Sequence, residues 1–247
     1  MVTLSPSSLP PAYLGSRGDR AYPMHDGRPL GETDYHRQVI IDLIGALKIH
    51  FAGQPVYVSG NLLLFYEPGN KRRHVSPDVL VTRGLPPGPR LNDLVWQEGK
   101  PPDLVIEVTS KTTRHAVLRR KFLVYQDKVR VPEYFLFDPL GDYLEPRLQG
   151  FRLHGGKYVR IRPLHGRLAS KQLSLALEAQ GNALRLIDQK TGQPLLAPRE
   201  LAERAADELA SERAARTRDK QEIARLRDEI VRLRKQHSTT VLSTPNF

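Results

Sequence analysis

Asp78 and Glu107 each stand beside a short apolar run, and Lys121 follows fourteen residues after the second acid. Asp78 leads from Ser76-Pro77 into Val79-Leu80-Val81, while Glu107 leaves Leu104-Val105-Ile106 and precedes Val108-Thr109-Ser110. Leu, Val, Ile and Thr dominate around Glu107, which is strand composition. A carboxylate inside such a strand is costly unless something positive meets it, and a metal ion or a lysine would serve. Carboxylate oxygens suit a hard cation such as Mg²⁺. The ion polarises a phosphoryl oxygen and lowers the pKa of a bound water, and a nearby lysine stabilises charge growing on phosphorus. Two strand-end acids, one lysine and a basic chain are therefore the parts of metal-assisted phosphodiester cleavage. Spacing alone does not single out that chemistry, because acids at strand ends are common.

The elements that must position these groups are legible. On a strand Asp103, Val105, Glu107 and Thr109 share one face. After Ser110 the pattern changes: Val117, Arg120, Lys121, Val124 and Tyr125 recur at three and four residues, which predicts a basic helix that also holds Arg114 and Arg119. Upstream, Val39, Ile40, Leu43, Leu47 and Phe51 form the apolar stripe of another helix. Thr33 or Asp34 would cap it, and Gly53 and Pro55 would end it. Glu32 and His36 lie near its N-terminal end. Val56–Ser59 and Leu62–Tyr66 read as strands joined by a Gly60-Asn61 hairpin turn. Lys71-Arg72-Arg73-His74 is a basic cluster ahead of Asp78. Residues 83–100 form a Pro/Gly-rich loop holding Trp96, the single tryptophan. Further strands are expected at Tyr134–Phe137, Tyr158–Ile161, Leu173–Leu177 and Leu184–Ile187. Neighbouring antiparallel strands would bring Asp78 and Glu107 together.

The chain has 247 residues, enough for one ordinary domain plus an appendage. It has no cysteine, which excludes disulfides, Cys-based zinc sites and thiol nucleophiles. No phosphate-binding glycine loop, dinucleotide fingerprint, HExxH or EF-hand loop is present, and the eight histidines show no ligand spacing. A net charge of +11 favours an anionic partner, nucleic acid before membrane. No run approaches the ~20 apolar residues of a membrane span, and no signal pattern opens the chain, so a cytoplasmic protein is expected. Residues 1–30, rich in Pro, Ser and Gly, read as a mobile arm and residues 31–197 as the main domain. Residues 198–237 are rich in Ala, Arg, Glu and Leu and read as one long charged helix. Its Ile223, Leu226, Ile230 and Leu233 keep a coiled-coil spacing compatible with a homodimer, although Glu212, Arg216 and Asp219 interrupt the seam upstream. That helix holds 11 basic and 9 acidic residues, so the positive excess lies mainly in the body. Residues 238–247 read as a disordered tail.

Several segments together resemble the Uma2 family of restriction-endonuclease-like proteins, within the PD-(D/E)XK nuclease superfamily. They are His74-Val-Ser-Pro-Asp78-Val-Leu-Val, Pro102-Asp-Leu-Val-Ile-Glu107-Val-Thr-Ser110, Lys121 with Tyr125, and Pro132-Glu-Tyr-Phe-Leu-Phe-Asp138-Pro139. Glu32-Thr-Asp-Tyr-His36 and Tyr57-Val-Ser-Gly-Asn61-Leu-Leu-Leu belong to the same resemblance, which spans roughly residues 25–190.

The resemblance implies an α/β (α+β) fold with a central mixed sheet flanked by helices, here with a long C-terminal helix added. It also implies metal-binding carboxylates at Asp78 and Glu107. The superfamily places a lysine two residues after the acid, where this chain has Thr109. The following helix would then supply Lys121, with Lys111 as the rival. Glu32 or His36 would approach the same cleft, and Asp103 is an accessory candidate whose plainer role is capping a loop. Arg72, Arg73, Arg119 and Arg120 are candidate phosphate contacts; Tyr125 and Trp96 read as core. The expected activity is a Mg²⁺- or Mn²⁺-dependent DNA endonuclease. The alternative is a catalytically silent nuclease-fold module that binds nucleic acid, or a protein through its C-terminal helix.

Overall fold

The computed structural model describes residues 18–19, 21–23, 33–109 and 116–241, the side chains of 116–118 and 234–241 apart. Glu32, Lys111 and Arg114 lie outside the described residues, as do most of the 1–30 arm and residues 242–247. The chain divides into two units, 1–197 and 198–247.

The first unit is built on a six-stranded mixed sheet. Its strands are β1 (Val56–Ser59), β4 (Val79–Arg83), β6 (Leu104–Val108), β7 (Glu133–Phe137), β8 (Leu148–His154) and β9 (Lys157–Arg160), side by side in that order. β6 and β7 run parallel and every other pair is antiparallel. A parallel pair needs a crossover, and the connection from β6 to β7 includes two π-helical segments, Ala116–Lys121 and Val124–Val129. The helix expected over this stretch is thus present but wound more widely than an α-helix, in a form that recurs at functional sites.

Helix α1 (Asp34–His50) begins where the sequence predicts. Thr33 is its N-cap, and the Thr33 hydroxyl accepts a hydrogen bond from the His36 N–H at 3.2 Å. The apolar stripe Val39, Ile40, Leu43 and Leu47 is buried against Val58, Val79, Val81, Leu104, Ile106 and Val108. A second sheet, β10 (Leu168–Ser170), β11 (Leu175–Gln180) and β12 (Ala183–Asp188), adds Leu175, Leu177, Leu184 and Leu186 to this core. The opposite sheet face carries Tyr57, Leu80, Val105, Tyr134 and Leu136, packed with Tyr125, Val129 and Val131 from the crossover. The alternation of side chains along a strand is therefore plain in β6, where 104, 106 and 108 face α1 and 105 faces the crossover.

The hairpin expected across Gly60-Asn61 does not form. β1 pairs with β4, whereas β2 (Leu64–Phe65) joins a small sheet between β3 (His74–Val75) and β5 (Asp93–Leu94). The turn bonds to the segment before β4 instead: Asn61, at φ +52°, donates its N–H to Pro77 O at 2.8 Å. β5 and the short helix α2 (Val95–Glu98) occupy the stretch read as a loop, and Trp96 packs beside Leu63, Phe65 and Leu94.

The second unit is helix α3 (Pro198–Val241), which extends past the boundary expected at 237. Ser238-Thr-Thr-Val contains no breaker, and the next proline is Pro245. No helix among the described residues is long and apolar enough to cross a membrane.

Gly60 fixes where the site's first acid sits. A Cβ added there would lie 2.0 Å from the Asp78 carbonyl oxygen and 2.7 Å from Ile44 Cδ1. Gly60→Ala should push the Asp78 backbone away and destabilise the first unit by about 1–3 kcal/mol. Urea denaturation followed by circular dichroism would read this as a lower midpoint.

Candidate active site

The register of β4 against β6 decides which side chains meet. Val79 is paired with Ile106, so one step further Asp78 stands opposite Glu107. Opposite residues on adjacent strands point to the same face, with Cβ atoms ~4.5–5.5 Å apart. Here that face is the crossover side, shared with Leu80 and Val105. The Asp78 carboxylate is anchored through the backbone beyond Glu107: Asp78 Oδ2 accepts from Val108 N–H at 2.8 Å.

Glu107 is completely buried. Both of its oxygens are used. Lys121 Nζ donates to Oε2 at 2.7 Å, and Tyr125 O–H donates to Oε1 at 2.8 Å. Lys121 also donates to Ser76 O at 2.7 Å. One ammonium group thereby ties the crossover, the turn before Asp78 and the Glu107 carboxyl together. The Lys121 side chain is 21 % exposed, so the cluster reaches solvent through it and through Asp78 at 11 %.

His36 closes the group from the first turn of α1. Its Nε2–H donates to Val108 O at 2.5 Å and lies 3.6 Å from Asp78 Oδ2. The structure thus gathers Asp78, Glu107, Lys121 and His36. Asp103 is not with them. Four residues before Glu107 on a strand, it lies ~13 Å away along the chain. There it holds Lys100 through both oxygens at 2.9 Å and accepts from Arg83 N–H at 2.6 Å. Its role is to clamp the loop ahead of β6. Arg72, Arg119 and Arg120 are exposed, and Arg73 pairs with Glu67 at 3.6 Å.

Tyr125, expected in the core, is also a member of this group. It is indeed buried, but its hydroxyl is half of what holds Glu107. The available signal was its position four residues after Lys121, which places both on one helical face. Thr109, where the resemblance expects a lysine, is buried, and its hydroxyl has no hydrogen-bond partner among the described residues.

Burial, with the nearby Asp78 charge adding to it, raises the Glu107 carboxyl to about 8 against the pull of Lys121 and Tyr125. Lys121 is held above its ordinary value because attraction to Glu107 and Asp78 outweighs its desolvation. Burial, followed by the charge of Glu107, raises the Tyr125 hydroxyl, so it stays a donor. Two carboxyl groups at facing strand positions suit a hard divalent ion. Asp78, Glu107 and the Val108 carbonyl offer the oxygen donors. Among the described residues no group of three or more His, Asp or Glu side chains is placed to hold a metal ion.

The sign of the Glu107 shift has a thermodynamic consequence. A carboxyl whose folded pKa of about 8 lies above its ordinary 4.5 binds protons more readily in the folded chain. Its contribution to stability is complete below the lower value and is lost as pH rises through the higher one. Glu107→Gln should therefore flatten the fall in stability between pH 5 and pH 9, read from urea midpoints in metal-free buffer. An unchanged pH slope in the variant would contradict the assignment.

A family model described as "Putative restriction endonuclease", that of Uma2, matches residues 11–185. No curated protein matches the chain. Among solved structures it is similar to a crystal structure, at 1.96 Å resolution, of a "putative nuclease belonging to DUF820" from Anabaena variabilis. The two share 13 % identity over 60 % of this chain and 79 % of the other, with a TM-score of 0.42. With the family model spanning most of its length, the chain belongs to the Uma2 family of restriction-endonuclease-like proteins.

Proposed function

We propose that this protein hydrolyses phosphodiester bonds of DNA with Mg²⁺ or Mn²⁺ held by Asp78, Glu107 and the Val108 carbonyl. The observation that carries this reading is the Lys121 ammonium seated on a buried carboxylate directly across from a second acid. When bound, the ion would polarise the phosphoryl oxygen and supply an activated water. Asp78, fixed by Val108 N–H, presents its carboxylate in one orientation at the mouth of the site. Tyr125 and Lys121 keep Glu107 from turning away, and Lys121 holds a positive charge where negative charge grows in the transition state. Arg119 and Arg120, exposed just before Lys121, and Arg72 and Arg73 of the basic cluster would hold backbone phosphates.

A second reading is favoured by one specific feature. Glu107 has no exposed surface, and both its oxygens are already bonded. A chain that keeps this cluster only as a structural clamp would bind DNA without cutting it.

Cleavage of plasmid and oligonucleotide DNA, with and without Mg²⁺ or Mn²⁺, separates the two. Wild type should cut. Glu107→Gln should abolish cutting while binding persists or tightens, since it removes a negative charge near the phosphates. Lys121→Ala should lower the rate by ~10²–10³. Affinity should fall steeply with salt in all three proteins. A wild-type protein that binds but never cuts, on single or double strands, would decide for the silent module.

A further inference from the structure

Helix α3 carries an apolar seam that no described residue of its own unit covers. Ile223, Leu226, Ile230 and Leu233 are each about half exposed, at 50 %, 48 %, 50 % and 57 %. Their spacing assigns Ile223 and Ile230 to heptad position a and Leu226 and Leu233 to position d. Isoleucine at a with leucine at d favours two parallel strands. We infer that α3 pairs with α3 of a second copy of this chain, parallel and in register.

The charges beside the seam point to that occupant and that direction. From residue 213 onward, position e among the described side chains is basic: Arg213, Lys220 and Arg227. The acids Glu208 and Glu222 stand at position g. In a parallel pair the g residue of one helix meets the e residue of the next heptad across the seam. Beside the apolar heptads, Glu222 then meets Arg227 of the second copy. An antiparallel pair would set e against e and g against g, placing like charges together. A helix binding a different protein would have no reason to be complementary to itself.

Upstream, the seam turns polar. Glu212 at d and Arg216 at a are bonded to each other within one helix at 2.6 Å, and Asp219 follows at d. Close pairing is therefore confined to the last two apolar heptads, and the dimer should be concentration-dependent. Because α3 follows Ala197 directly, parallel pairing attaches both first units to the same end of the paired helix. Two candidate active sites would then travel in one particle. The pairing does not depend on the phosphodiesterase reading.

The absence of cysteine makes the test clean. Leu226→Cys should form a covalent dimer of the full chain on mild oxidation, because the two sulfurs face each other in a parallel, in-register pair. Arg225→Cys, on the outer face, should cross-link far more slowly. Equal rates, or faster reaction at 225, would overturn the proposal. Sedimentation supplies the second arm. Wild type should show a rising mass with concentration, and Ile223→Asp/Ile230→Asp should stay monomeric. Glu222→Arg should weaken association several-fold, and Glu222→Arg/Arg227→Glu should restore it. A wild-type chain that remains monomeric at the highest attainable concentration, or a charge swap that restores nothing, would also overturn it.

Discussion

A carboxyl group with no contact with water must be met by donors, and Glu107 is met by two. The Lys121 and Tyr125 bonds at 2.7 and 2.8 Å fix the crossover against the sheet at one point. The same lysine reaches Ser76 and so fixes the turn that presents Asp78. Removing either donor would leave a buried acceptor unpaired, which costs more than the net worth of an ordinary hydrogen bond. The wide π-helical winding, the order of β4 and β6, and the close approach of Gly60 to Asp78 all converge on that arrangement.

The site sits where two sheet faces come within reach of each other. α1 packs on one face of the sheet and the crossover on the other. His36, in the first turn of α1, touches the end of β6 at Val108 O. The acids themselves belong to the crossover face. A backbone carbonyl and a backbone N–H of the same residue, Val108, thus join His36 and Asp78. Asp78 is thereby placed through a main-chain bond, while Glu107 is placed through the buried side chains of Lys121 and Tyr125.

How much was legible follows from the range of each signal. Periods of two and of three to four residues reported β4, β6, β7 and α1 directly, and Thr33 marked the start of α1. The convergence of Asp78 with Glu107 was also open to inference, because alternation fixes faces once two strands are taken as antiparallel neighbours. Gly60-Asn61 misled because turn chemistry says that the chain bends, and nothing about which strand receives it. Tyr125 carried two readings at once, a large apolar ring and a donor. Only the three-dimensional placement of Glu107 separates them. Asp103 shared a strand face with Glu107, yet a strand face is long, and the strand rise separates the two by more than a shared site allows.

The proposed chemistry depends on Asp78 and Glu107 forming one divalent-ion site. Calorimetric titration of Mn²⁺ into the wild-type chain, beside Asp78→Asn and Glu107→Gln, tests it without requiring turnover. Wild type should take up Mn²⁺ with a heat that both variants lose while remaining folded by circular dichroism. Equal binding of the ion by all three proteins would contradict it.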